Sequence, residues 1–161
     1  MLPQKCSLDG TTFVSSGSNT QCNCTDSSGR FTFISDKLVK DSLTGLTWDF
    51  PEHAPDTIAG ASGTCTSKGM RLPTQIELEK LLLAAGPAAA CTERLYLAID
   101  SVAFPGIVVN TRYWTGEIES SLPGYYYVVY FYGPSSTTSG SGFGTTDRSA
   151  SQLVAYQCVK G

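Results

Sequence analysis

Histidine is all but missing from this chain: His53 is the one imidazole among 161 residues. A zinc centre built on several histidines therefore has no material, and no Gly-x-Ser-x-Gly stretch marks a hydrolase nucleophile. His53, in Phe50-Pro51-Glu52-His53, reads as an exposed loop residue. No CxxC pair occurs; Cys22-Asn23-Cys24 has a single intervening residue, too short for a zinc knuckle or a redox motif. Runs of lysine or arginine are absent, and net charge −3 with pI ≈ 5.0 argues against a nucleic-acid or anionic-membrane partner. No stretch approaches membrane-spanning length, and Met1-Leu-Pro-Gln-Lys lacks an apolar signal region. The expectation is an excised ectodomain, exported as part of a larger chain, whose export signal or anchor lies upstream.

What is present is six cysteines, an even number that reads as a disulfide framework in an oxidising, extracellular or cell-surface setting. Gly 16, Pro 8 and only 16% charged residues suggest a turn-rich, β-containing domain. A chain of this length buries roughly 70% of its unfolded surface. Residues 1–30 hold three cysteines and few apolar side chains and read as a disulfide-stapled appendage, a short hairpin or extended arm. Cys22 and Cys24 are poorly placed to bond each other; one is expected to close a loop with Cys6 and the other to reach elsewhere. The pairing of Cys6, Cys22, Cys24 and Cys91 stays open. Residues 31–161 form the domain proper.

The domain's landmark is Gly69 to Leu83. Leu72 precedes Pro73 and is driven toward the extended region. Thr74 then opens a helix as N-cap, with Glu77 completing a capping box. Ile76, Leu78, Leu81, Leu82 and Leu83 form its apolar side, and Gly86-Pro87 ends it. Upstream, Phe31, Phe33 and Leu38-Val39 read as strands, Asp41 to Gly45 as a turn delivering Trp48, and Pro55 to Lys68 as a short helix ending near Cys65. Downstream, Tyr113-Trp114-Thr115 and Tyr125 to Tyr132 read as strands. Residues 133–148 are a polar loop or weak strand, and Leu153 to Val159 is a closing strand.

In order, Asp41-Ser-Leu-Thr-Gly-Leu-Thr-Trp48, Cys65, Arg71-Leu-Pro-Thr74 with Glu77-Leu78, Tyr113-Trp-Thr115, the Val128-Val-Tyr-Phe-Tyr-Gly133 strand and Tyr156-Gln-Cys-Val-Lys160 resemble the family named for the C-terminal domain of the Legionella collagen-like adhesin. That family is a bacterial branch of the C-type-lectin-like fold, and the resemblance covers about residues 37–161. It implies an α+β fold with two helices packed on twisted antiparallel strands, a Cys65–Cys158 disulfide, and core positions for Trp48 and Trp114. It also implies burial of Tyr127, Val129 and Phe131, leaving Tyr126, Tyr130 and Tyr132 toward solvent or a partner. Formylglycine-generating enzymes share a related fold, but a disulfide-bonded Cys158 would not serve their chemistry.

The calcium signatures of sugar-binding lectins, Glu-Pro-Asn, Gln-Pro-Asp and Trp-Asn-Asp, are absent. Glu117, Glu119 and Asp147 could offer oxygens, but at no motif spacing; no cofactor and no metal is expected. Glu117 and Glu119 also read as solvated rather than as a glycosidase pair. Tyrosine gives a stiff amphipathic contact surface and Ser, Gly and Thr give adaptable hydrogen bonds. Candidate ligand contacts are therefore Tyr126, Tyr130, Tyr132, Phe143, Asp147 and Arg148. The leading expectation is a non-catalytic adhesin domain, at a pilus or fibre tip, binding a cell-surface glycan or lipopolysaccharide or a surface protein. The alternatives are a structural module that forms homo-oligomers in a fibre, and a ligand-display protein diversified by codon hypermutation.

Overall fold

The computed structural model of the chain describes residues 4–5, 12–15, 21–25, 29–49, 53–82, 95–100, 103–104, 107, 110–132 and 142–161. In chain order the elements are β1 (Gln4–Lys5), β2 (Thr12–Ser15), β3 (Gln21–Thr25), β4 (Phe31–Ser35), β5 (Leu38–Asp41), β6 (Thr47–Asp49) and β7 (His53–Asp56). Two helices follow, α1 (Ile58–Ser67) and α2 (Gln75–Glu79). The chain continues through β8 (Leu95–Asp100), β9 (Arg112–Ile118), β10 (Tyr125–Tyr132), β11 (Gly142–Ser149), β12 (Val154–Tyr156) and β13 (Val159–Lys160). The architecture is α+β, with strands in the orders β1-β2-β3-β8, β11-β10-β9-β12-β7 and β13-β6-β5-β4.

The five-stranded sheet carries a hydrophobic cluster on each face. Adjacent strand residues point to opposite sides, so Tyr113, Val129 and Phe131 join Trp48, Leu78, Leu81 and Phe104 in one cluster. Trp114 and Val128 join Ile58, Ala61, Cys65, Leu72 and Tyr156 in the other. Trp48 and Trp114 are both fully buried core residues. Cys65 and Cys158 are disulfide-bonded, which ties α1 to the chain between β12 and β13.

Several expectations need correction. The helix after Thr74 is only Gln75–Glu79 followed by a turn, and Ile76 is exposed, because α2 buries just Leu78 against the sheet. Leu83 and the Gly86-Pro87 stop lie outside the described residues. The closing segment is two strands rather than one. Gln157 and Cys158 interrupt it, and the break lets β12 pair with β7 and β9 while β13 crosses to β6. Gly142–Ser149 is a full strand, paired along the whole of β10; residues 133–141 lie outside the description. The first three strands form antiparallel pairs, and β8 joins them in parallel. The partners of Cys6, Cys22, Cys24 and Cys91 fall outside the described side chains.

Candidate functional site

A cleft of about 550 Å³ opens between α1, the chain leading into α2, and the paired ends of β9 and β10. Its shape follows from local turns. Thr57 caps α1 by accepting the Gly60 amide, 3.2 Å. At the other end Gly69 takes φ 67°, a left-handed conformation that costs glycine little. Its amide donates to Thr66 O and that of Met70 to Cys65 O, both 2.9 Å, a closure that turns the chain back across the helix end. Arg71 then exchanges backbone bonds with Val159, and Pro73 O accepts the Gly116 amide at 2.9 Å. The Thr74–Glu77 capping box forms as expected.

The cleft is lined by Ile58, Ala59, Leu72 and the Tyr126 ring, with Ser62, Arg71, Thr74 and Glu117 as polar groups. Glu117 accepts the Gln75 amide at 2.6 Å, so the β9 carboxylate supplements the cap of α2. Arg71 grips Glu77 with two bonds of 2.8 and 2.7 Å. The Arg71 contact leads the causes that hold the Glu77 carboxyl below its usual value; burial works the other way. Tyr126 is half-buried and meets Trp114 edge-to-face, centroids 6.4 Å apart, a geometry that aromatic pairs favour. A mostly apolar recess of this volume with a few fixed polar groups suits a small ligand or one sugar residue of a chain.

The six expected contact residues do not share a face. The β10–β11 register sets Tyr126 opposite Arg148, Tyr127 opposite Asp147, Tyr130 opposite Gly144 and Phe131 opposite Phe143. Directly paired residues point the same way, so Tyr126, Tyr130 and Arg148 lie on the α1 side. Phe143 and Asp147 lie on the other, and Phe143 packs against the Phe131 core cluster. Tyr132 pairs with Gly142 at the strand end. Tyr127, expected in the core, is only half-buried. Its phenol hydrogen-bonds Glu119, which raises the phenol's pKa. Glu119 is lowered first by its bond to Ser121 and then by that to Tyr127. The Tyr126–Val128–Tyr130 side is correspondingly no open face: Val128 is fully buried under α1. The Tyr130 ring lies across Gly144, where a Cβ would collide with it. Arg148 lines a second recess of about 300 Å³ together with Asn110, Arg112 and Gln152.

His53 is not an exposed loop residue. It stands in β7 with its ring stacked on Tyr156, 4.7 Å apart and 6° from parallel, and it hydrogen-bonds Asp49. The Lys68 ammonium lies 3.1 Å from both Asp49 Oδ2 and His53 Nε2. Asp49, His53 and Cys158 make up the one grouping of three metal-capable side chains among the described residues. Glu117, Glu119 and Asp147 do not assemble into such a group. Sequence reasoning missed Arg71, Ser62 and Leu72 as cleft residues, because their convergence with Tyr126 arises only when the α1 end folds back onto β9.

Comparisons of the chain with family models, curated proteins and solved structures yield no match. No described helix is long and apolar enough to cross a membrane.

Proposed function

We propose that this chain is a non-catalytic binding domain of an exported surface protein, an adhesin of the Legionella collagen-like adhesin C-terminal family on a C-type-lectin-like fold, displayed at a pilus or fibre tip. Its ligand is a cell-surface glycan, including that of lipopolysaccharide, or another surface molecule. The observation that carries this reading is the Tyr126 cleft, in which an aromatic ring packed edge-to-face on Trp114 and an apolar floor sit beside Ser62, Thr74, Arg71 and Glu117. Sugars present one apolar face to stack and several hydroxyls to bond, which is the chemistry such a cleft offers. The disulfide fits an extracellular setting. The test is a glycan and lipopolysaccharide array probed with the disulfide-intact chain and with Tyr126→Ala. Selective binding that Tyr126→Ala abolishes supports the proposal; no binding on the array, or binding indifferent to Tyr126, sinks it.

One observation favours a second reading, an assembly module. Ile118, paired with the cleft residue Tyr126, is exposed on the β9–β10 hairpin, and Leu122 and Tyr125 of the same hairpin are exposed too. Light scattering separates the two: a stable oligomer dissociated by Ile118→Asp selects assembly, and a monomer that binds the array selects recognition.

A further inference from the structure

We propose that the Cys65–Cys158 disulfide closes off a latent zinc site: once the bond is reduced, Cys65, Cys158, His53 and Asp49 hold one Zn²⁺ ion. The Asp49 carboxylate, His53 Nε2 and Cys158 Sγ already lie within 4.8 Å of one another, and Nε2 is 3.9 Å from Sγ. With Zn–S near 2.3 Å and Zn–N or Zn–O near 2.0–2.1 Å, the edges of a tetrahedral site are roughly 3.3–3.8 Å. These three donors therefore need only small adjustments, while the two sulfurs must part to roughly 3.8 Å once their bond is reduced. Cys65 Sγ, bonded to Cys158 Sγ, supplies the fourth corner.

The surroundings suit a metal. Both cysteines are fully buried and Asp49 is nearly so. Asp49 Oδ1 accepts the Cys158 amide at 2.8 Å, and the Tyr156 ring fixes the imidazole plane; supports of this kind orient ligands in metal sites. A cation already sits against two of the donors: the Lys68 ammonium is 3.1 Å from the carboxylate and from Nε2. Its side chain is 42% exposed and free to withdraw into solvent. In the oxidised protein neither sulfur is a thiolate, the form that binds metal, so bond and ion are mutually exclusive.

The chemistry balances with a dithiol as reductant. The dithiol closes to its own disulfide and passes two electrons and two protons to Cys65 and Cys158, whose S–S bond breaks to leave two thiols. Zinc then displaces both thiol protons to solvent, while Asp49 and neutral His53 bind without losing one.

Because His53 is the chain's single histidine, its ring nitrogens report on the site even though four other cysteines are present. The experiment is zinc titration of the ¹⁵N-labelled full chain, oxidised and reduced, observing the His53 ring resonances and metal content. We expect one tightly held zinc with a shifted Nε2 signal in the reduced chain and none in the oxidised chain. Asp49→Asn should weaken reduced-state zinc binding by about tenfold or more. Zinc bound without moving the His53 signal assigns it to other cysteines and overturns the proposal. Failure to bind, or equal binding by the oxidised chain, does the same. If reduction unfolds the chain, equimolar zinc must restore its folded spectrum; an unfolded chain with zinc present is also a refutation.

Discussion

Arg30→Met should be among the most damaging single substitutions that replace no aromatic residue. Arg30 sends Nε and Nη2 to the two oxygens of Asp41 at 2.8 and 2.7 Å, and Nη2 also reaches Lys80 O at 2.6 Å. The two side chains are 9% and 1% exposed. Asp41 further accepts the Leu43 amide and the Thr44 hydroxyl, fixing the turn before β6. Burial pushes its carboxyl up, but bonds from Arg30 and Thr44, with the attraction of the guanidinium, outweigh burial and hold it below 3.8. Removing the arginine strands a buried carboxylate, which costs about 3–5 kcal/mol. In urea, with a slope of about 2 kcal/mol per molar, the midpoint falls by on the order of 2 M. The double mutant Arg30→Met/Asp41→Leu should recover at least about 2 kcal/mol of the loss, since no charge is left unpaired. The pH response separates the proteins further. In the native chain a lowered carboxyl gives stability that is present above the unfolded pKa and lost as pH falls through the folded one. In Arg30→Met, burial is opposed only by the Thr44 and Leu43 bonds, so the carboxyl rises relative to the native chain and acidification toward pH 4 should relieve part of the defect. A single-mutant loss under about 1 kcal/mol, or a double mutant as unstable as the single, would refute this account of the pair.

Cys65→Ser or Cys158→Ser should cost roughly 4–5 kcal/mol from loop-closure entropy over the 93-residue separation, and thermal melting of the variants checks it. Thr74→Ala removes the capping box and should lower stability by about 1 kcal/mol in urea titration. Phe131→Ala, at the core centre, should cost about 3–5 kcal/mol. Tyr126→Ala should cost less in melting but weaken array binding by about 2 kcal/mol or more, and EDTA should leave that binding unchanged. Gly144→Ala should displace the Tyr130 ring without unfolding the domain, visible as a change in the Tyr130 aromatic resonances.

Much of the fold is legible in local chemistry. The Thr74–Glu77 box, the short helix ending near Cys65, the Asp41–Gly45 turn and the tyrosine strand all depend on residues within a few positions of one another. How far the Tyr126 side of β10 is covered is not legible, because strand alternation fixes which residues share a side, not which side is covered. Here α1 folds over the Tyr126–Val128 side and buries Val128. His53 was misjudged for the same reason: Tyr156 and Asp49, its ring partner and its acceptor, come from other strands. The cleft is the least legible part. It draws on α1, the approach to α2, β9 and β10, and nothing in the local pattern of any one segment announces the others.

The disulfide also sets how the domain meets a mechanical load. A pull entering from Gly161 first peels β13, two residues paired with β6 and bridged to Arg71. It then arrives at Cys158, where the force passes covalently into α1 rather than on through the sheets. The segment between the bonded cysteines, which are 93 positions apart, thus stays off the load path, withholding roughly 300 Å of extensible contour at about 3.3–3.6 Å per residue. The five-stranded sheet and the Tyr126 cleft stay largely within that shielded segment. Under tension the domain behaves as a short covalent staple carrying an unstretched recognition surface, and cutting the staple turns the same chain into a long, yielding tether.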